Sequence, residues 1–297
     1  MSLPAAARLG ANEGFLERLD TLNARQFQIA IRRVADDLSY GTDRSRFLGS
    51  GVEYVQSRPY QYGDPVKAID WRVTARTAKV HIKEYEAPKR VPCWILVDTS
   101  ASMTLSSTGR SKYELALHIA GGLAFACLDR VSPVGVIGVG DREIRQPLSL
   151  SKDRVMQWLL RLRRFRYDEG TTLGRRVGEL RPSLGSRALV IVLSDLQDAD
   201  GVAALKLLGQ EHDCVVLQLQ DPAEVLLRGM GFVRAQEAET GREFVTKGRR
   251  PWLDQDLLTA SLRRAGVDHL LIRTDRSFAH GLRHFFRARG LGGGGGR

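Results

Sequence analysis

Apolar residues recur along this chain in two rhythms. Largely apolar runs at 92–97, 134–139, 187–193 and 214–219 carry β-branched residues, and the first and third stop abruptly at polar ones. That is the pattern of strands buried on both faces of a parallel sheet. Between and after them, apolar positions fall three or four apart at 111–130, 151–165, 170–180, 202–210 and 253–265, which predicts helices. In the first of these, Tyr113, Leu115, Ile119, Leu123 and Cys127 face inward, whereas 151–165 carries an outer face of Arg154, Arg161, Arg163 and Arg164. Residues 143–148 read as an antiparallel return strand after the turn at Asp141 and Arg142. A last strand is predicted at 268–273 and a last helix at 278–287. The alternation argues an α/β fold built on a doubly wound, mostly parallel sheet, Rossmann-like in class.

Other stretches depart from the alternation. Residues 232–246 read as a β-hairpin about Glu239, Thr240 and Gly241. Residues 79–86 alternate apolar and charged side chains, as an amphipathic strand does. Over 14–38, Phe15, Leu19, Leu22, Phe27, Ile31, Val34 and Leu38 keep helical spacing, with a break near Asn23. Residues 49–71 mix glycines, aromatics and charges with no period, which predicts an ordered irregular segment. Its Tyr54, Tyr60, Ile69 and Trp71 are expected to be buried against the sheet. The predicted organisation is a helical segment over 1–44, the irregular segment and strand over 45–90, and an α/β domain over 91–289. The hairpin is an insertion at 221–250, and 290–297 is a flexible glycine tail.

Charge changes this picture: 45 Lys and Arg against 34 Asp and Glu leave a net +11 on 297 residues, which favours an acidic partner. Cys93, Cys127 and Cys214 are scattered through apolar runs without a CxxC pair, as expected of reduced thiols in a cytoplasmic protein. No signal peptide is evident, and the longest apolar stretch, 119–128, is too short to span a bilayer.

The candidate chemistry lies where the first apolar run ends, in the stretch VPCWILVDTSASM at 91–103. Asp98, Ser100 and Ser102 offer one carboxylate and two hydroxyls at alternate positions, all hard oxygen donors suited to a cation such as magnesium. The same residue types are preferred as helix N-caps, and from these residues alone both readings stand. A later strand ends in Ser194 and Asp195, and Gly170 and Thr171 precede a helix between the two. If the two strands are neighbours where strand order reverses, Asp98, Ser100, Ser102, Thr171 and Asp195 converge on one spot.

That constellation resembles the metal-ion-dependent adhesion site of von Willebrand factor A domains. The resemblance implies Ser100, Ser102 and Thr171 as direct ligands of magnesium or manganese, and Asp98 and Asp195 acting mainly through bound water. It also implies one coordination position open to a partner's carboxylate. Where that family usually has Gly-Gly-Thr, this chain has Glu169, Gly170 and Thr171, with Thr172 adjacent. The preceding stretch carries Gly49, Ser50, Gly51, Glu53 and Tyr54, then Arg58, Tyr60, Gly63 and Asp64, then Lys67, Ile69, Asp70 and Trp71. With Ala75, Arg76, Lys83, Glu84 and Tyr85, this block is similar to the bacterial domain-of-unknown-function family 58, in which it stands just upstream of a von Willebrand A-like domain. Lys67 stands where that family commonly has Arg. The resemblance extends from about 45 to 289 and implies partnership with a MoxR-type AAA+ ATPase in protein maturation or assembly.

Rival chemistries lack their signatures. No GxxxxGK[ST] occurs and no GxGxxG follows a strand, so the phosphate-cradling loop of a nucleotide enzyme is missing. Ser100 occupies the position where a phosphatase built on Asp98 would want a second acid, and no elbow glycines flank Ser100 or Ser102. His280 and His284 have zinc-compatible spacing but no acidic partner between them, and read as a surface pair. The arginines of 161–166 lack interleaved aromatics suited to base stacking, which argues against nucleic acid as a partner and for a solvated helix face. The expectation is a non-enzymatic, divalent-metal-dependent protein-interaction module, binding a protein partner that donates an acidic residue, either the ATPase or its client. The alternative is a basic nucleic-acid-binding or scaffold protein whose metal site is a relic.

Overall fold

The computed structural model describes residues 13–16, 53–86, 91–129, 131–185, 187–226, 232–236, 243–247 and 254–292. In chain order the first elements are β1 (Glu13–Phe15), β2 (Glu53–Pro59), a 3-10 turn (Val66–Ala68), α1 (Trp71–Thr77) and β3 (His81–Glu86). Then come β4 (Cys93–Val97), α2 (Ala101–Thr104), α3 (Lys112–Asp129), β5 (Val134–Gly138), β6 (Arg145–Ser149), α4 (Lys152–Leu162) and β7 (Arg164–Arg166). They are followed by α5 (Leu173–Leu180), β8 (Leu189–Ser194), α6 (Ala199–Glu211), β9 (Asp213–Gln220) and α7 (Pro222–Leu226). The hairpin strands β10 (Phe232–Gln236) and β11 (Glu243–Lys247) precede α8 (Gln255–Arg264), β12 (Val267–Arg273) and α9 (Ala279–Gly292).

Six strands form the central sheet in the order β12-β9-β8-β4-β5-β6, parallel throughout except for the antiparallel edge strand β6. This is the expected mixed α/β sheet, and its strands are apolar on both faces because both are covered. Side chains alternate between two cores. Cys93, Ile95 and Val97 pack with residues of α3, α4 and α9, while Trp94 and Leu96 pack with residues of α5, α6 and α8. Helix α3 is more than amphipathic: every residue but His118 and Asp129 is buried. Its Ala116, Ala120, Gly121, Gly122, Ala124 and Ala126 let neighbours approach on all sides.

Three expectations are corrected. The helix expected from 14 onward begins as strand β1, which pairs antiparallel with β7, and residues 17–52 of that expectation lie outside the described ones. The helix at 151–165 stops at Leu162, because Arg164–Arg166 is needed to pair with β1. Arg163 consequently turns inward, buried, with its guanidinium 4.6 Å from the centre of the Phe15 ring.

The third correction concerns the aperiodic block. Strands β2 and β3 pair antiparallel, and the segment between them folds back as the 3-10 turn and α1. Asp70 caps α1, accepting from the backbone N–H of Arg72 and Val73, and also accepts from the Ser57 hydroxyl at 2.7 Å. Arg58 holds Asp64 through two bonds of 2.8 and 2.9 Å. Asp70 and Ile82 are buried inside this module with Ile69 half-buried, while Tyr60, Tyr62, Val66 and Trp71 stand exposed. Burial of Tyr60 and Trp71 does not occur; the Tyr54 side chain lies outside the described residues.

Among the described residues, no helix is long and apolar enough to cross a membrane.

Candidate metal centre

Strands β4 and β8 are hydrogen-bonded neighbours. Numbered in chain order within the sheet alone, the strands run 3-2-1-4-5-6, and the order reverses between these two. At such a reversal the connections leave toward opposite faces, opening a crevice at the carboxyl ends of the strands. Asp98 follows β4 directly, and Asp195 follows the last residue of β8.

The turn after β4 is shaped by its own polar side chains. The Asp98 carboxylate accepts from the Ser100 backbone N–H at 3.0 Å, an Asx-type turn, and from the Ser194 hydroxyl at 2.5 Å. Ser100 stands at the N-cap of α2 but makes no side-chain cap bond. Its hydroxyl lies 3.1 Å from the Ser102 hydroxyl, which donates to Asp195 Oδ2 at 2.9 Å. Because the Ser102 proton is directed at Asp195, the Ser100 proton remains for Ser102 or for the Asp98 carboxyl. The capping role that the sequence leaves open for Ser100 is therefore not the one its hydroxyl performs.

Burial pushes the Asp98 carboxyl up to about 7, helped by the charge of Asp195 and opposed by the hydrogen bonds from Ser194 and Ser100. After Asp195 the backbone turns left-handed at Leu196, with φ +59°. A buried leucine holds this conformation at a cost of about 1–2 kcal/mol. The Ser194 hydroxyl accepts the Leu196 N–H at 3.0 Å and helps to fix the turn.

Residues 169–172 reach the site through the backbone. Ala101 N–H donates to Glu169 O at 2.7 Å, and Thr171 forms an antiparallel bridge with Gly140. Thr172 spends its hydroxyl on Gly140 O at 2.9 Å, which leaves Thr171 as the threonine to consider at the site. Glu169, in place of a glycine, is buried and accepts from the Thr99 hydroxyl at 2.8 Å and from Arg142 Nε at 2.7 Å. Gly140 has to be glycine, since a Cβ there would collide with the Glu169 carboxylate and the Thr99 hydroxyl. Direct hydrogen bonds therefore join Ser100, Ser102 and Asp195, with Asp98 tied in through the Ser100 backbone and Ser194, whereas Thr171 is connected through the loop backbone.

Sequence reasoning missed a buried lysine. Lys112 Nζ donates to Asp195 Oδ2 at 2.7 Å and to Glu224, at the start of α7. Burial works against its charge, but the carboxylates of Asp195 and Glu224 outweigh this and hold it above the ordinary lysine value. Glu224 is itself raised by burial, partly offset by Lys112. The one available signal was position: a lysine in the first turn of a helix opposes the macrodipole and calls for local carboxylates. Behind Asp195, Gln218 donates to its backbone carbonyl at 3.3 Å and pairs with His269 Nε2 at 3.0 Å.

The donor set fits a hard divalent cation. Neighbouring oxygens in an octahedral magnesium shell lie about 2.9 Å apart, given Mg–O bonds of roughly 2.0–2.1 Å. The Ser100 and Ser102 hydroxyl oxygens, 3.1 Å apart, already match such an edge. Among the described residues no three His, Cys, Asp or Glu side chains stand together as a metal cluster, so the fit rests on the hydroxyl pair with Asp98 and Asp195.

The same residues fall inside a family match. The profile of the family described as protein of unknown function DUF58 matches residues 56–262. The chain belongs to the DUF58 family. The DUF58 match begins within β2 and ends within α8, so it takes in the β2–β3 module together with both aspartates. Two similar proteins, uncharacterized ones from Mycobacterium bovis and Mycobacterium tuberculosis, are each 26% identical over 285 residues. Each alignment covers 90% of this chain and 89% of the relative.

Proposed function

We propose that residues 91–289 form a von Willebrand factor A-like domain, and that it acts as a non-enzymatic, magnesium- or manganese-dependent protein-interaction module. The observation that carries this reading is the hydroxyl pair of Ser100 and Ser102, 3.1 Å apart and adjoining Asp98 and Asp195 where strand order reverses. The antiparallel third strand of the sheet, β6, supports the domain assignment. Ser100, Ser102 and Thr171 would hold the ion directly, with Asp98 and Asp195 behind them. When bound, the ion would supply a Lewis-acidic position for an incoming carboxylate. Neutral hydroxyl ligands leave its charge under-compensated, so an acidic side chain is favoured as both ligand and counter-charge. The +11 background would attract such a partner at long range. By resemblance, that partner is a MoxR-type AAA+ ATPase or its client.

One observation favours a second reading, a metal-free relic in a basic scaffold or nucleic-acid-binding protein. The Lys112 ammonium already sits 2.7 Å from Asp195 Oδ2 and supplies a resident cation. Thermal unfolding with and without magnesium separates the two. Metal binding to the folded state alone adds about 2.7 kcal/mol at a hundredfold excess over Kd. The midpoint should rise in the native protein and stay put in Asp98→Ala; equal behaviour of the two rejects the metal reading.

A further inference from the structure

The β2–β3 module presents, in an ordered framework, side chains that a folded protein ordinarily hides. Trp71 is 68% exposed, Val66 67% and Tyr62 fully so, all within a stretch of ten residues. Helix geometry places Trp71 and Arg72 beside Ala75 and Arg76 one turn later, and all four are exposed. The opposite side of α1, Val73 and Thr74, turns inward, and the Thr74 hydroxyl accepts from the His81 N–H of β3 at 3.0 Å. The outward stripe is therefore apolar and cationic together.

Over residues 57–83 the charge is one-sided. The acids there are Asp64 and Asp70, and both are consumed internally, by Arg58 and Gln61 and by Ser57 and the α1 amides. Lys67, Arg72, Arg76 and Lys79 are exposed, and none has an ion pair among the described residues. A second copy of this chain, itself at +11, is a poor occupant. Successive stacking platforms are what single-stranded nucleic acid needs. Here aliphatic Val66 and Val80 stand exposed beside the aromatics, an apolar mixture suited to aliphatic side chains.

We infer that the outward face of α1, with Trp71 as anchor and Arg72 and Arg76 beside it, docks an acidic protein segment that also carries apolar side chains. The contact is separate from the metal centre: it needs neither Ser100 nor Ser102. Trp and Arg are the residue types that most often dominate an interface, and losing one commonly weakens binding on the order of tenfold or more.

The test is selection from a random 15-residue peptide library displayed on phage, using the full chain as bait, followed by titration of the enriched peptides by fluorescence anisotropy. Enriched peptides are expected to be net acidic with apolar residues, and to bind equally with magnesium and with chelator. Trp71→Ala should weaken them on the order of tenfold, and the Arg72→Glu/Arg76→Glu variant should abolish their binding. Circular dichroism should show both variants folded, their side chains being exposed. The inference is overturned if no acidic peptides are enriched, if the variants bind them as well as the native protein does, or if a 15-nucleotide single strand binds the same face more tightly. Loss of binding in Ser100→Ala/Ser102→Ala would move the contact to the metal centre and overturn it as well.

Discussion

The crevice between β4 and β8 and the β2–β3 module solve opposite problems with similar residues. In the crevice, carboxylates, hydroxyls and an ammonium are buried, and each is tied to the next through Asp195, Ser102 and Lys112. In the module, Asp70 is buried beside Ser57 together with Ile82, and Trp71, Tyr60, Tyr62 and Val66 are left on the surface. Burying charge demands exact partnering, since an unpaired buried ion costs several kcal/mol. Exposing large apolar groups is costly in a different sense and points to surface that is covered in use.

The largest effect should come from breaking the buried partnership. Lys112→Met leaves Asp195 and Glu224 facing each other without their shared cation and should destabilise the fold by about 3–5 kcal/mol. Adding Glu224→Gln should restore part of that loss in urea unfolding. If Lys112→Met unfolds at the native midpoint, the triad contributes nothing to the fold.

Next in size is a pH effect in the layer behind Asp195. Burial, with Arg263 adding to it, lowers His269 from 6.5 to about 4, so the ring stays neutral in the fold. The unfolded chain takes up the proton first as pH falls. Stability contributed by His269 is thus intact above about 6.5 and is lost on descending to about 4, by up to about 3 kcal/mol. His269→Gln should reduce this slope in urea midpoints measured between pH 7 and pH 4.5 without abolishing it, since burial lowers His118 to about 4 as well; an unchanged slope places the effect elsewhere. The smallest effect belongs to the module: Trp71→Ala, at an exposed site, should shift stability by no more than about 0.5 kcal/mol. A larger loss would mean that the ring is packed after all.

The same contrast decides what was legible beforehand. Runs such as 92–97 and 188–193 are apolar on both faces and abruptly polar at their ends, so the sheet and the positions of Asp98 and Asp195 can be read directly. Helix α3 reads as amphipathic because hydropathy cannot distinguish a half-buried helix from one whose small residues admit neighbours all round. β1 and β7 were hidden because three-residue strands carry no period, and their pairing is non-local. The module misleads for a physical reason: burial is inferred from side-chain type, and Trp71 is apolar but exposed. Lys112 was overlooked because its partners, Asp195 and Glu224, lie 83 and 112 residues away.

In the proposed function, the turn after β4 and the turn after β8 together bind one divalent cation. Electron paramagnetic resonance of manganese titrated into the purified chain tests it most directly, since bound ions lose the sharp signal of the free aqueous ion. One bound manganese per chain is expected, displaced by magnesium, and none in Ser100→Ala/Ser102→Ala, which should remain folded. Free-ion signal from the first addition in the native protein, or an unchanged titration in the double variant, would contradict it.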